Sequence, residues 1–125
     1  FWNAPLDCED HANKAVYAAK EISEKADELI KEYEEQGLPR IDVGIGISTG
    51  ECIVGNMGSE LRFDYSVIGD AVNLGARLEG QTRNYDGVDL LLSERTYQCC
   101  PNGTFTEVDR IHVKGKSEKV TIYTC

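Results

Sequence analysis

Asn73 and Arg77 stand four residues apart in the run Tyr65-Ser-Val-Ile-Gly-Asp-Ala-Val-Asn-Leu-Gly-Ala-Arg-Leu-Glu79. On a helix, residues at that spacing project from one face as neighbours. An amide beside a guanidinium suits a phosphate ester better than it suits a core, because the arginine fork offers donors matched to phosphate oxygens. The surrounding residues predict the helix. Asp70 is a good N-cap type, and Ala71, Val72, Gly75, Ala76 and Leu78 fall on apolar or small positions at helical spacing. Tyr65–Ile68 reads as a strand broken at Gly69-Asp70, so a helix over 70–81 would leave the strand directly. Taken alone, an N-x-x-x-R pair is a weak signal, and most such pairs are solvated surface.

The elements that would position this pair can be read in chain order. Asp7 is a candidate N-cap with Asp10 in the capping-box position. A helix then runs to about Gln36, with Ala12, Ala15, Val16, Ala19, Ile22, Ala26, Leu29, Ile30 and Tyr33 at steps of three and four. Asp10–Lys14, Glu21–Lys25 and Asp27–Lys31 would support its wet face. Gly37 stops it and Pro39 prevents resumption. Ile41–Ser48 alternates with period two, and half of its second face is glycine: Asp42, Gly44, Gly46, Ser48. Glycine inside a strand marks close approach of a helix, a backbone or a ligand, and tight helix packing is the plainer reading. Thr49-Gly50 predicts a hairpin turn into Cys52–Gly55. Further on, Val88–Leu92 reads as a buried strand, Ser93 as the cap of a short helix to about Cys99, and Pro101–Gly103 as a turn. Thr104–Val113 and Lys119–Tyr123 read as an antiparallel pair with Gly115–Ser117 at its tip. Phe1-Trp2 reads as the end of a strand.

Composition narrows the function classes. A chain of 125 residues is one domain at most. Its net charge of -9 is a poor match for nucleic acid. The charge is uneven: 7–36 holds ten acidic residues against four lysines, whereas Arg110–Lys119 holds four basic residues against one glutamate. A polyanionic small ligand would favour the C-terminal segment. Five cysteines without a CxxC, and two histidines far apart, suit reduced thiols and not a zinc site. No apolar run approaches the ~20 residues of a membrane span, so no membrane contact is expected from this segment. Gly44-x-Gly46-x-x-x-Gly50 has the wrong spacing for a dinucleotide fingerprint. Gly115-Lys-Ser117 lacks both the earlier glycine and the following helix of a P-loop.

The run Tyr65–Glu79 resembles the signature of class III nucleotidyl cyclases, the adenylate/guanylate cyclase catalytic domain. Gly44-Ile-Gly-Ile-Ser-Thr-Gly50 with Val54-Gly-Asn-Met-Gly58, and Val113-Lys-Gly-Lys116, agree in order and spacing. Phe1-Trp-Asn-Ala-Pro5 is similar to the segment just past that family's second metal-binding loop. The resemblance implies an α+β, ferredoxin-like cyclase fold with a mainly antiparallel sheet and helices packed on it. It also implies that 1–125 is the C-terminal two-thirds of the domain, truncated at the N-terminus.

By the same resemblance the reaction is conversion of ATP to 3′,5′-cyclic AMP and pyrophosphate at a dimer interface. Arg77 and Asn73 would be catalytic. Lys114 would bind the terminal phosphates, and Ser66, seven before Asn73, would read the base. A serine hydroxyl is closer to the threonine of adenylate types than to the cysteine of guanylate types, which favours adenine. Two Mg²⁺ or Mn²⁺ ions would be held by aspartates upstream of Phe1, with Asp70 a helix cap and not a metal ligand. The implied partner is a second copy or another cyclase half. The implied setting is cytoplasmic, in a parent that could be membrane-anchored, and the fragment alone would be inactive. The alternatives are a silent cyclase-like dimerisation domain, a guanylate cyclase, and an unrelated ferredoxin-like module.

Overall fold

The computed structural model describes residues 2–3, 7–39, 42–56, 65–113 and 118–125. Helix α1 spans His11–Glu35. It starts later than the capping pattern predicts. Asp10, not Asp7, is the N-cap, and its carboxylate accepts from the Asn13 side-chain amide at 2.7 Å instead of from the backbone. The far end closes as predicted. Gly37 takes φ +70°, and the Gly37 and Leu38 N–H groups donate to the Glu34 and Tyr33 carbonyls at 3.1 and 2.9 Å. Those two bonds satisfy carbonyls that the helix itself cannot.

The remaining elements are β1 (Ile45–Ile47), β2 (Ile53–Asn56), β3 (Tyr65–Ile68), α2 (Asp70–Gln81), a 3-10 turn (Thr82–Asn84), β4 (Leu90–Ser93), α3 (Glu94–Gln98), β5 (Thr106–His112) and β6 (Lys119–Thr124). The main sheet has the order β1-β4-β6-β5. β1 and β4 run parallel, and the β4–β6 and β5–β6 pairs run antiparallel. β2 and β3 form a separate antiparallel pair. The chain is therefore α+β with mainly antiparallel pairing.

Three expectations need correction. The predicted hairpin at Thr49-Gly50 does not form: β1 pairs with β4, 45 residues on, and β2 pairs with β3. Gly50 is pressed under the first turn of α2, where an added Cβ would lie 2.7 Å from that of Ala71, so the chain leaves the sheet there. The helix over 70–81 is capped by Gly69, with Asp70 inside its first turn. Gly69 rests on the backbone of Glu51 and Cys52, where a Cβ would stand 3.1–3.2 Å from them. Finally, Trp2 lies outside any strand and is largely exposed.

Side-chain alternation along β4 divides the core. Leu90 and Leu92 pack with Ala12, Val16 and Ala19 of α1, and Leu91 packs with Leu78 of α2. The two helices thus cover opposite faces of the sheet, which explains the three consecutive leucines of β4, Leu90 to Leu92. The α1 stripe is only partly used. Ala12, Ala15, Val16, Ala19 and Ala26 are buried, whereas Ile22 and Leu29 remain 54% and 52% exposed. Further along α1, Ala26 is buried and Ser23, Ile30 and Tyr33 are half-buried, so Ile22 and Leu29 lie off the side of the helix that is covered.

The glycine face of β1 lies under α2. A Cβ on Gly46 would collide with the Gly75 carbonyl, stand 2.5 Å from the Glu79 nitrogen and 3.0 Å from the Leu78 Cβ. A Cβ on Gly44 would meet the Glu79 carbonyl at 3.0 Å. The tight-packing reading of those glycines holds.

Candidate active site on the outer surface of α2

Leu78 is fully buried and Leu74 packs against the same cluster, which fixes the inward side of α2. Asn73 and Arg77 then face outward, and both are exposed. Their α-carbons are separated by about 6 Å of helix rise. Among the described residues neither side chain has a hydrogen-bond or ion-pair partner, while neighbouring Glu79 is taken by Arg83 at 3.2 Å. The amide and the guanidinium are therefore free donors on one solvent-facing turn. The helix that carries them is held from below by Gly46 and at its start by the Gly69 contact with the chain entering β2.

Ser66 lies in β3, in register with Gly55 of β2. A Cβ added at Gly55 would meet nothing within 4 Å, so the face of the arm at that register position is open. The Ser66 side chain and the whole of Lys114 lie outside the described residues. Val113, the residue before Lys114, packs on the cluster that also holds Leu74, the residue after Asn73.

Two grooves lie elsewhere. One of about 410 Å³ lies beside α1, between Lys14, Tyr17 and Phe105. The other, about 930 Å³, follows β1 past Gly46, Ser48, Val54, Val67, Gly75 and Ala76. Neither is lined by Asn73 or Arg77. The Ser48 hydroxyl oxygen is buried in this region without a hydrogen-bond partner among the described residues.

The described residues do not fit a metal site: no group of three or more His, Cys, Asp or Glu among them could hold an ion. All five cysteines are free thiols. Burial, reinforced by its acidic and thiol neighbours, pushes the Cys100 thiol up. No helix among the described residues is long and apolar enough to cross a membrane.

A contact that sequence reading missed joins Tyr85 to Asp109. The tyrosine hydroxyl donates to the carboxylate at 2.7 Å across 24 residues. No local pattern marks such a pair.

The family model for the adenylate and guanylate cyclase catalytic domain matches residues 3–125. An adenylate cyclase of Anabaena cylindrica is 39% identical over 98% of this chain, which spans 25% of that relative. The adenylyl cyclase CyaB from P. aeruginosa superposes with a TM-score of 0.81 at 31% identity, over 96% of this chain and 62% of that one. The guanylate cyclase domain of RhGC from Catenaria anguillulae, solved with GTP, gives 0.75 at 29% identity, over 97% and 62%. This chain therefore spans a quarter of the length of that curated relative and about six-tenths of the solved chains.

Proposed function

Since the chain belongs to the adenylate and guanylate cyclase catalytic-domain family, we propose that it supplies the transition-state half of a site converting ATP to 3′,5′-cyclic AMP and pyrophosphate. The observation that carries this reading is the unpaired, outward-facing Asn73/Arg77 turn on a helix clamped to the sheet. In the reaction the ribose 3′-oxygen forms a bond to the α-phosphorus. The bond from that phosphorus to the bridging oxygen breaks, pyrophosphate leaves, and the 3′-hydroxyl proton is lost. Charge grows on the α-phosphate oxygens, and a fixed guanidinium beside them lowers the barrier. Arg77 takes that role. Asn73 orients the ribose by hydrogen bonding. Lys114 holds the terminal phosphates, and Ser66 reads the base.

Divalent ions, Mg²⁺ or Mn²⁺, supply further charge stabilisation when bound. No group among the described residues would hold them, and on this reading the other half of the site would supply their ligands. The open edge of β1, the groove beside it and the exposed Ile22 and Leu29 support the view that further strands of the domain cover this side. A second subunit would complete the site. Ile53 and Ile68 pair directly across the β2–β3 arm and are 70% and 57% exposed, an apolar surface suited to a partner.

The test is product analysis on a complete catalytic domain carrying this chain, supplied with ATP or GTP and Mg²⁺ or Mn²⁺. Cyclic AMP and pyrophosphate are expected from ATP in preference to cyclic GMP from GTP. Preference for GTP would reassign the base pocket. No cyclic product from either would reduce the domain to a silent dimerisation unit.

A further inference from the structure

The Asn73 end of α2 rests on the chain that leaves β1. A Cβ on Gly50 would lie 2.7 Å from that of Ala71. One on Gly69, the cap of the helix, would stand 3.1–3.2 Å from Glu51 and Cys52. The Gly69 carbonyl in turn accepts from the Val72 and Asn73 N–H groups, both at 3.1 Å. Residues 50–52 are thus a strap under the first turn. The Arg77 end is supported separately, by Gly46 against Gly75 and Glu79.

The strap belongs to neither flanking strand, since β1 ends at Ile47 and β2 begins at Ile53. Its tie to the fold is a side chain. Ile45 and Ile47 pack on the α1 cluster, and Thr49 continues that alternation onto α3, where its hydroxyl and that of Thr96 share a hydrogen bond at 2.7 Å. Thr96 is fully buried, and its hydroxyl shares a second hydrogen bond with that of Ser93 at 3.0 Å. Ser93 is buried, pairs with Ile122 in the main sheet, and accepts from the Thr96 N–H at 3.2 Å. The line of hydroxyls therefore starts on an inner strand of the sheet and ends on the strap. Losing a member leaves a buried hydroxyl short of a partner, which is costly.

We propose that the Ser93–Thr96–Thr49 hydroxyl line is a positioning device for the start of α2: it sets the height of the strap beneath Gly69, and so the placement of the Asn73 amide that orients the ribose. This rests on the role given to Asn73 above. Thr49 lines the groove beside β1, which Asn73 does not border, so it acts through the strap and not by touching the nucleotide.

The experiment is steady-state kinetics with melting curves on the complete catalytic domain. Thr49→Val removes the strap's hydroxyl at nearly constant volume and leaves the Ser93 cap of α3 in place. Thr49→Ser returns the hydroxyl, and Asn73→Ala tests the underlying assignment. Thr49→Val is expected to lower kcat about 10-fold, part of the ~100-fold that a full 1 Å displacement can cost, with KM for the nucleotide within about twofold. Thr49→Ser should recover most of the loss. In an Asn73→Ala background the valine change should cost less than about twofold, because the group it positions is gone. Unchanged kcat in Thr49→Val, beside a lowered kcat in Asn73→Ala, would overturn the positioning role. So would a loss that persists undiminished in the Asn73→Ala background, or a lowered melting temperature with both kinetic constants intact. Parental kcat in Asn73→Ala would instead overturn the ribose-orienting assignment.

Discussion

Replacing Gly46 by alanine adds one methyl group at the tightest point beneath α2. That carbon would sit 2.5 Å from the Glu79 nitrogen and closer still to the Gly75 carbonyl. Ordinary contact begins near 3.4 Å. Both obstructing atoms are backbone, so no side chain can swing aside and the helix itself must rise by about 1 Å. Overpacking of this kind costs about 1–3 kcal/mol, offset in part by the ~0.5–1 kcal/mol advantage of alanine over glycine in a strand. A net loss of about 1–2 kcal/mol would lower the melting temperature by roughly 3–10 °C. The catalytic effect should be larger, because a displacement of about 1 Å in a positioned group can cost ~100-fold in rate. Gly75→Ala is the control. Its Cβ would meet Ser48 Cβ at 3.6 Å, an ordinary contact, and alanine is worth up to ~1 kcal/mol over glycine in a helix. The assay is cyclic AMP production by the complete domain, paired with thermal melts. Gly46→Ala should lose roughly 10- to 100-fold in turnover, whereas Gly75→Ala should keep most of it. Wild-type turnover in Gly46→Ala, or equal damage from both, would refute the idea that this contact sets the height of α2.

Burial and charge set three further outcomes. Leu78→Ala empties a fully buried position between α2 and the sheet and should cost about 2–5 kcal/mol, read from the denaturant midpoint. Asp109 has its folded-state pKa lowered below the ordinary 3.8 by the Tyr85 and Arg110 donors. The folded state therefore binds that proton less readily than the unfolded state does. The contribution of Asp109 to stability is present above pH 3.8 and is lost as pH falls below it through the folded value. Asp109→Asn should accordingly flatten the acid limb of a stability–pH curve in that window alone. Ile53→Asp should shift the complete domain from dimer to monomer in sedimentation and lower its activity in parallel, because it places a charge on the exposed face of the β2–β3 arm.

What the sequence disclosed was mostly local. The bounds of α2 came from residue spacing. The Ser93 cap of α3 was legible because its geometry is set within three residues, and its hydroxyl accepts from the Thr96 N–H at 3.2 Å. The end of α1 was legible from Gly37 and Pro39 in the same way. The parallel pairing of β1 with β4 was not legible, since a generic Thr-Gly turn outscored a partner 45 residues away. The N-cap of α2 fell on Gly69 and not Asp70 because of contact with the backbone of another segment, which no helix-start rule contains. Ile22 and Leu29 were read into the buried stripe because steps of three and four span a wide arc of helix, whereas the covered side runs through Ala19, Ala26 and the half-buried Ile30 and Tyr33. The outward position of Asn73 and Arg77 was implied by helical spacing, but the roles proposed for them came from resemblance alone.

The most direct measurement is turnover of the complete domain with Arg77→Ala. Arg77 is exposed, and among the described residues it has no partner, so the melting temperature should not move. Cyclic AMP formation should fall by at least ~100-fold, as when one charge-stabilising donor is lost. A variant that melts like the parent and still makes the product at a near-normal rate would contradict the assignment of this helix to the transition state.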